Sequence, residues 1–158
     1  SGASHTFHGR DVYAYTAARL ASGKITFEEV GPLQPVDSIV TLCCNDAEVK
    51  DGEITGIIDI LDIQFGNLWS NISRELFETQ GLSYGEMVEV EIKHGKRKVY
   101  LNQMAYGRSF ADTRIGQPLV YVNSLDNMAI AINQGSFAKA YNIGTGSNWT
   151  IKIRKYNP

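Results

Sequence analysis

The stretch VEVEIKHGKRKVYL, residues 88–101, carries the clearest fold signal in the chain. The apolar members of its alternation are Val88, Val90 and Ile92 before the central turn, and Val99 and Leu101 after it. Strict alternation of apolar and polar residues places one face of a strand against a core and the other in water. His94-Gly95 interrupts the pattern where a tight turn belongs. The stretch therefore predicts an antiparallel hairpin with one solvated face.

Further short apolar runs surround this hairpin and predict more strands. They span residues 54–62, 119–124, 128–132 and 149–154. The middle two are apolar on both faces, which is typical of central strands. Many short strands with little helix predict a mainly β domain, a small barrel or sandwich.

Only the N-terminal part has a convincing long helix, predicted over residues 11–22. Asp11 is placed to cap its start and Gly23 to end it, with an apolar stripe between them. The proline-punctuated residues 31–37 follow as a linker. We expect residues 1–30 to be the end of another domain and residues 38–158 to be the β domain. A helix so separated needs a partner, so we expect the chain to be the C-terminal part of a larger protein.

Composition excludes several classes of protein. The chain has 158 residues, of which 43% are hydrophobic and 20% charged, so it can bury one hydrophobic core. Its net charge of −2 lacks the basic excess of a protein that binds nucleic acids or anionic membranes. It has neither a bilayer-spanning apolar run nor a signal-peptide pattern. The adjacent Cys43 and Cys44 suit reduced core residues. We expect a soluble, cytoplasmic protein.

Polar clusters mark candidate sites. His8 lies in TFHGRD, residues 6–11, where a helix start gathers exposed N–H groups suited to a developing negative charge. The stretch DIQFGNLWSN, residues 62–71, combines a carboxylate, amides and aromatic rings able to hold a flat base and an ammonium group. The alternative is a tight turn with an aromatic plug.

Other polar groups have simpler interpretations. Asn123-Ser124 and Asn133-Gln134-Gly135 follow apolar strands and are typical turn formers. Residues 144–147, Gly-Thr-Gly-Ser, lack the lysine and spacing of a phosphate loop, so a hairpin turn is predicted there. The three histidines do not predict a metal cluster.

The order of these motifs carries a resemblance. TFHGRD at 6–11, DIQFGNLWSN at 62–71, FAD at 110–112, and VNS with IAINQGSFA between 122 and 138 together resemble the S-adenosyl-L-methionine hydroxide adenosyltransferases, relatives of the fluorinating and chlorinating enzymes. The resemblance covers the C-terminal part of that family. It implies a C-terminal β-barrel whose preceding helix belongs to an absent α/β domain. It also implies a homotrimer with sites between subunits, and S-adenosyl-L-methionine as substrate without a metal or cofactor.

Site roles follow from the resemblance residue by residue. It implies catalytic roles for His8 and Gly9, and substrate contacts for Thr6, Phe7, Asp62, Phe65, Asn67, Trp69, Phe110, Ser124, Asn133 and Gln134. Asp62 would face the substrate ammonium and Ser124 would hold its amino-acid part. Asn67 would contact adenine and Phe110 would stack on it. Backbone groups near Asn133 would meet the adenine edge.

Departures from the halogenating relatives point to water as the nucleophile. Histidine stands at His8 where they have tyrosine, and glycine at Gly9 where they have the halide-binding serine. Histidine can orient or deprotonate water near neutral pH. Leu125 and Ile132 replace arginines of the fluorinating relatives, so substrate recognition must differ in detail.

The function implied is hydrolysis of S-adenosyl-L-methionine to adenosine and methionine by attack at ribose C5′. The chain alone would be inactive without the N-terminal domain. The alternatives are a halide-using relative, a module that binds adenosine without chemistry, and a structural barrel whose polar clusters are turns.

Overall fold

The computed structural model describes residues 6–41 and 45–157. The chain divides into two compact units, Ser1–Leu42 and Cys43–Pro158. Cys43 and Cys44, interpreted as reduced core residues, lie outside the described residues.

The first unit is a helix followed by a segment of turns and bends that includes a short 3-10 helix, Val36–Ser38. A π-helical stretch, Gly9–Ala14, runs directly into helix α1, Tyr15–Ala21. The helix begins before the predicted start, and Asp11 does not cap it: the N-cap is His8, and the Asp11 carboxylate pairs with the Arg10 guanidinium.

The end of α1 follows the prediction. Gly23 has φ +68°, its N–H donates to the Leu20 carbonyl at 3.1 Å, and the Lys24 N–H donates to the Arg19 carbonyl at 2.9 Å. These two bonds form the glycine-terminated C-cap known as a Schellman motif. Among residues 6–41 none is buried, and apolar side chains such as Tyr15 remain exposed.

The second unit is a β-barrel, as predicted. Its strands are β1 (Glu48–Lys50), β2 (Glu53–Leu61), β3 (Leu68–Ser73), β4 (Met87–His94), β5 (Arg97–Tyr106), β6 (Pro118–Val122), β7 (Asn127–Ile132) and β8 (Gly146–Lys155). The sheet order is β1-β2-β3-β7-β6-β5-β4-β8, and β8 also pairs with β2. That last pairing closes seven strands into a barrel, while β1 adds to one edge of β2. Closure removes the unpaired edges that an open sheet would expose.

Alternation fills the barrel interior. In β4, Val88, Val90 and Ile92 are buried, as predicted from the alternating sequence. In β7, four consecutive residues are buried, which fits a strand covered on both faces. The described core also contains Phe77 and Phe137. They belong to two short helices, α2 (Arg74–Glu78) and α3 (Phe137–Tyr141).

The predicted hairpin is confirmed, but its second strand has the opposite phase. His94 pairs with Arg97 across the turn, and the register shifts between Ile92 and Lys93. That irregularity turns Tyr100 toward the core and leaves Leu101 47% exposed. Continuing the alternation through the turn was therefore wrong for Leu101.

Two further interpretations need correction. Residues 68–73 form strand β3, although they were grouped with a polar cluster. Residues 144–147 are not a hairpin turn: they lead from α3 into β8, and Gly146 already pairs with Ile58. The left-handed residue Asn142 ends α3 just before them.

Among the described residues, no helix combines the length and apolar character needed to cross a membrane.

Candidate functional site

The turn between β2 and β3 is closed by its backbone and by the Asp62 carboxylate. The Asp62 carbonyl accepts from the Gly66 N–H at 2.6 Å, and the Asp62 N–H donates to the Asn67 carbonyl at 3.0 Å. Asp62 Oδ1 accepts from the N–H groups of Gln64 and Phe65 at 3.0 and 3.4 Å. Such side-chain bonds to the following backbone stabilise a turn. Phe65 is 59% exposed, so the turn is tight but its aromatic ring is not a core plug.

Helix α3 packs against this turn. Gly66 has φ +71°, and a Cβ there would lie 1.9 Å from Ser136 Oγ. The Gly66 carbonyl accepts from the Ala138 N–H at 3.0 Å. Ser136 is also the N-cap of α3, accepting from the Lys139 N–H. Only glycine allows both the left-handed backbone and this close approach.

Asn67 is buried, 2% exposed, with its amide oriented by two oxygens. Its Nδ2 lies 3.2 Å from Tyr121 Oη and 3.4 Å from Asp62 Oδ2. An ionised carboxylate can only accept hydrogen bonds, so the neighbouring amide atom must be the nitrogen. The Asn67 amide is thus held in one orientation.

Tyr121 belongs to the site although the motifs did not indicate it. It lies on β6 in register with Ala129 of β7, which is in register with Trp69 of β3. Burial raises the pKa of the Tyr121 hydroxyl, so it stays protonated at neutral pH and can both accept and donate. Period-two alternation within residues 119–124 was the available signal, since it places Tyr121 opposite the core-facing Val120.

Beside Asn67 an open cleft of about 440 Å³ has mostly apolar walls. Its lining residues are Gln64, Phe65, Asn67, Phe110, Ile132, Asn133, Gln134 and Gly135. The Phe110 ring is 40% exposed and lies 5.2 Å from the Tyr121 ring, centroid to centroid. A cleft of this size with aromatic walls and a few fixed amides suits a flat, polar-edged small molecule.

Asn133 lines the cleft and is held by three hydrogen bonds. Its Nδ2 donates to the Thr113 carbonyl at 2.8 Å. Its N–H donates to the Gln117 carbonyl and its own carbonyl accepts from the Gly116 N–H. The neighbouring Gln134 has a left-handed φ of 58°. These bonds hold the strand end in place at the cleft.

Ser124 lies at the other end of the β6–β7 hairpin. Its turn is organised by Asn123, whose Oδ1 accepts from the N–H groups of Leu125 and Asn127 at 2.9 and 3.1 Å. Between the two ends, Trp69, Tyr121 and Ala129 share the barrel's outer face, opposite the core-facing Leu68, Val120 and Ile130. We call this face the outer strip. It runs from the cleft toward Ser124.

The structure therefore gathers most of the predicted residues of the second unit. Asp62, Phe65, Asn67, Phe110, Asn133 and Gln134 surround or support the cleft, Trp69 lies on the outer strip, and Ser124 lies at its far end. Thr6, Phe7, His8 and Gly9 belong to the first unit, at the start of its helix. There the Phe7 carbonyl accepts from the Arg10 N–H at 3.1 Å. Their relation to the cleft stays a prediction.

The second unit is therefore a closed β-barrel domain with an aromatic and amide cleft on its wall. Residues 56–150 match the SAM hydroxide adenosyltransferase C-terminal domain, where SAM is S-adenosyl-L-methionine. The chain belongs to this family.

Known relatives extend well beyond this chain. A fluorinase of Actinopolyspora mzabensis is 32% identical over 143 residues, covering 89% of this chain and 46% of the relative. An (R)-S-adenosyl-L-methionine hydrolase of Thermus thermophilus is 32% identical over 141 residues, covering 89% and 47%. A crystal structure of an uncharacterized conserved protein from Thermotoga maritima matches with a TM-score of 0.70 at 29% identity, covering 97% of this chain and 54% of that one. The chain spans about half the length of these proteins.

Proposed function

We propose that this chain is one half of an enzyme that hydrolyses S-adenosyl-L-methionine to adenosine and L-methionine. The observation that carries the proposal is the cleft in which the Asn67 amide is fixed beside the exposed Phe110 ring. The hydrolase and fluorinase relatives support the substrate class. Because the chain spans about half of those relatives, the other half of the site comes from a domain preceding the barrel and from a neighbouring subunit of a homotrimer.

The cleft takes the adenine end of the substrate. Phe110 stacks on the base, and such stacking contributes about 1–3 kcal/mol per base. Asn67 Nδ2 is held by Tyr121 and Asp62, which leaves the amide's Oδ1 to accept from the exocyclic amine of adenine. The backbone near Gln134 borders the same cleft and meets the other base atoms.

Asp62 supplies negative charge for a cationic substrate. Its carboxylate is only partly buried, and its four lone-pair sites exceed the three donors recorded around it among the described residues. S-Adenosyl-L-methionine carries an ammonium group and a sulfonium. A carboxylate beside the cleft therefore favours this ligand over uncharged nucleosides.

The chemistry is a displacement at ribose C5′. The oxygen of water forms a bond to C5′ as the C5′–S bond breaks, and the electron pair of that bond goes to sulfur, giving the neutral thioether of methionine. The water oxygen loses one proton, which His8 accepts. Gly9 offers no hydroxyl to a halide at the neighbouring position, which favours water over chloride or fluoride. Alignment and exclusion of bulk water are then the protein's main contributions.

The test is an incubation of the full-length protein with S-adenosyl-L-methionine in ¹⁸O-labelled water containing chloride. We expect adenosine carrying ¹⁸O at its 5′ oxygen, and methionine in equal amount. 5′-Chloro-5′-deoxyadenosine as the product would assign the protein to the halide-using class. Binding of adenosine with no turnover would assign it to the non-catalytic modules, and no binding at all to structural barrels.

Two separate histidine substitutions test whether His8 accepts the proton of the attacking water. His8→Ala should slow adenosine formation and leave adenosine affinity unchanged, because His8 acts on water and not on the base. His94→Ala is the matched control, since His94 stacks on Trp149 at the β4–β5 hairpin, 4.5 Å between ring centroids. Equal turnover of the His8 variant and the control would remove His8 from the mechanism.

A further inference from the structure

The segment that carries Phe110 is not fixed by core packing. It joins β5 to β6 and contains a single 3-10 turn, Phe110–Asp112. All of residues 108–112 are exposed. Exposed connecting segments move more than the strands they join unless other bonds restrain them. The place of the Phe110 ring at the cleft therefore depends on how the loop backbone is held.

The Asp112 carboxylate restrains this backbone. Its Oδ2 accepts hydrogen bonds from the N–H groups of Arg108 at 2.6 Å and Ser109 at 3.2 Å. Ser109 Oγ in turn accepts from the Ala111 N–H at 3.2 Å, which completes a capping box around the turn. Hydrogen bonds to an ionised acceptor are stronger than those between neutral groups. The carboxylate thus ties the two residues before Phe110 to the second residue after it.

The two ends of the loop are attached to the barrel by other groups. Before the turn, the Gly107 N–H donates to the Val120 carbonyl at 2.9 Å. After the turn, the Thr113 carbonyl accepts from Asn133 Nδ2 at 2.8 Å. Neither bond reaches the residues between them. Loss of the Asp112 carboxylate should therefore loosen residues 108–112 and leave both ends of the loop in place.

We propose that Asp112 is a positioning residue, which holds residues 108–112 in the conformation that places the Phe110 ring on the cleft before the substrate binds. The inference rests on the proposed function, because it needs a base stacked on Phe110. The residues that line the cleft include Phe110 but not Asp112, so Asp112 acts through the ring. Without the carboxylate, fewer molecules hold the ring in place, and the apparent affinity falls in proportion to that fraction.

The experiment measures the affinity of the full-length protein for adenosine by calorimetry. The variants are Asp112→Ala, which removes the carboxylate, and Asp112→Asn, whose amide oxygen can still accept from the same N–H groups. Glu86→Ala is the matched control, because the Glu86 carboxylate accepts at 2.5 Å from the Ser83 N–H, also three residues earlier in the chain. Rates of tryptic cleavage after Arg108 are measured in parallel, since nicking of an exposed loop reports its mobility.

The two Asp112 variants should differ. Asp112→Ala should weaken adenosine binding about fivefold and speed cleavage after Arg108, because the loop then visits other conformations. Asp112→Asn should stay within about twofold of the unchanged protein in both measurements, and Glu86→Ala should match it. In a Phe110→Ala background, Asp112→Ala should have no further effect on affinity, since the ring through which it acts is gone. A residue that merely supports the fold would weaken adenosine binding with or without the ring.

The outcomes separate the two proposals. If adenosine does not bind the unchanged protein, the proposed function fails and the role of Asp112 in binding fails with it. If adenosine binds the unchanged protein and Asp112→Ala equally well, only the positioning role is overturned. An equal loss for Asp112→Ala with and without the Phe110 ring, or an equal loss for Glu86→Ala, also overturns it.

Discussion

Replacing Gly66 by alanine tests how much the close contact between the β2–β3 turn and helix α3 constrains residue 66. The left-handed φ of +71° costs a residue with a side chain about 1 kcal/mol. The new Cβ would also meet Ser136 Oγ at 1.9 Å and Ser136 Cβ at 2.6 Å, and forced overpacking costs about 1–3 kcal/mol. We expect Gly66→Ala to lower the free energy of unfolding by about 2–4 kcal/mol.

Gly81→Ala is the matched control because it separates backbone strain from the steric contact. Gly81 has φ +65°, and among the described residues no atom lies within 4 Å of the position of its Cβ. It should lose only the backbone part, about 1 kcal/mol. Both free energies are measured by urea denaturation of the full chain, with equal slopes confirming an unchanged unfolding transition.

A double substitution tests whether the contact with Ser136 causes the loss of stability. Ser136→Gly removes the N-cap of α3, which costs only a few tenths of a kcal/mol, about 0.3, when glycine replaces serine. Combined with Gly66→Ala it should recover most of the steric part, so that the double variant is more stable than Gly66→Ala alone. A loss for Gly66→Ala no larger than that of Gly81→Ala, or no recovery in the double variant, would refute the reasoning.

Three more outcomes are expected. Phe110→Ala should weaken adenosine binding by the full-length protein about 5- to 150-fold, the loss of one stacked base, and calorimetry showing unchanged affinity would place the base elsewhere. Tyr121→Phe removes the hydroxyl bonded to Asn67 at 3.2 Å and should cost about 1 kcal/mol in urea denaturation; no loss would mean that this bond is unimportant. Hydrogen bonding from Lys152 lowers the pKa of Glu53 below its ordinary value. The Glu53 carboxylate therefore stabilises the folded state fully above that ordinary value, and this contribution is lost as pH falls through the lowered pKa. Glu53→Gln should make the free energy of unfolding less sensitive to acid, and an unchanged acid profile would contradict this.

The strands were predictable where apolar residues alternate over several positions. Val88, Val90 and Ile92 belong to one β4 face whichever strand pairs with it, because side chains alternate along any strand. The phase of β5 was not predictable. The register shift beside Lys93 places Leu101 in solvent, and nothing in the local alternation reports it.

The candidate site was predictable in part. The order of the motifs led to Asp62, Asn67 and Phe110, and the structure places Asn67 and Phe110 on one cleft, with Asp62 hydrogen-bonded to Asn67. Tyr121 was overlooked because it lies within an apolar run that predicted only a central strand. Its site role depends on a partner 54 residues away in sequence, the amide of Asn67.

The amino-acid order by itself determined where backbone segments extend and where glycine and asparagine end them, since these depend on neighbours a few residues apart. The order of the motifs along the chain determined which family it resembles. Only the tertiary structure decided that β2 and β8 close the barrel, and that Arg74 pairs with Asp126 although 52 positions separate them. The physical reason is that strand pairing joins distant segments through backbone hydrogen bonds, which carry no side-chain signature.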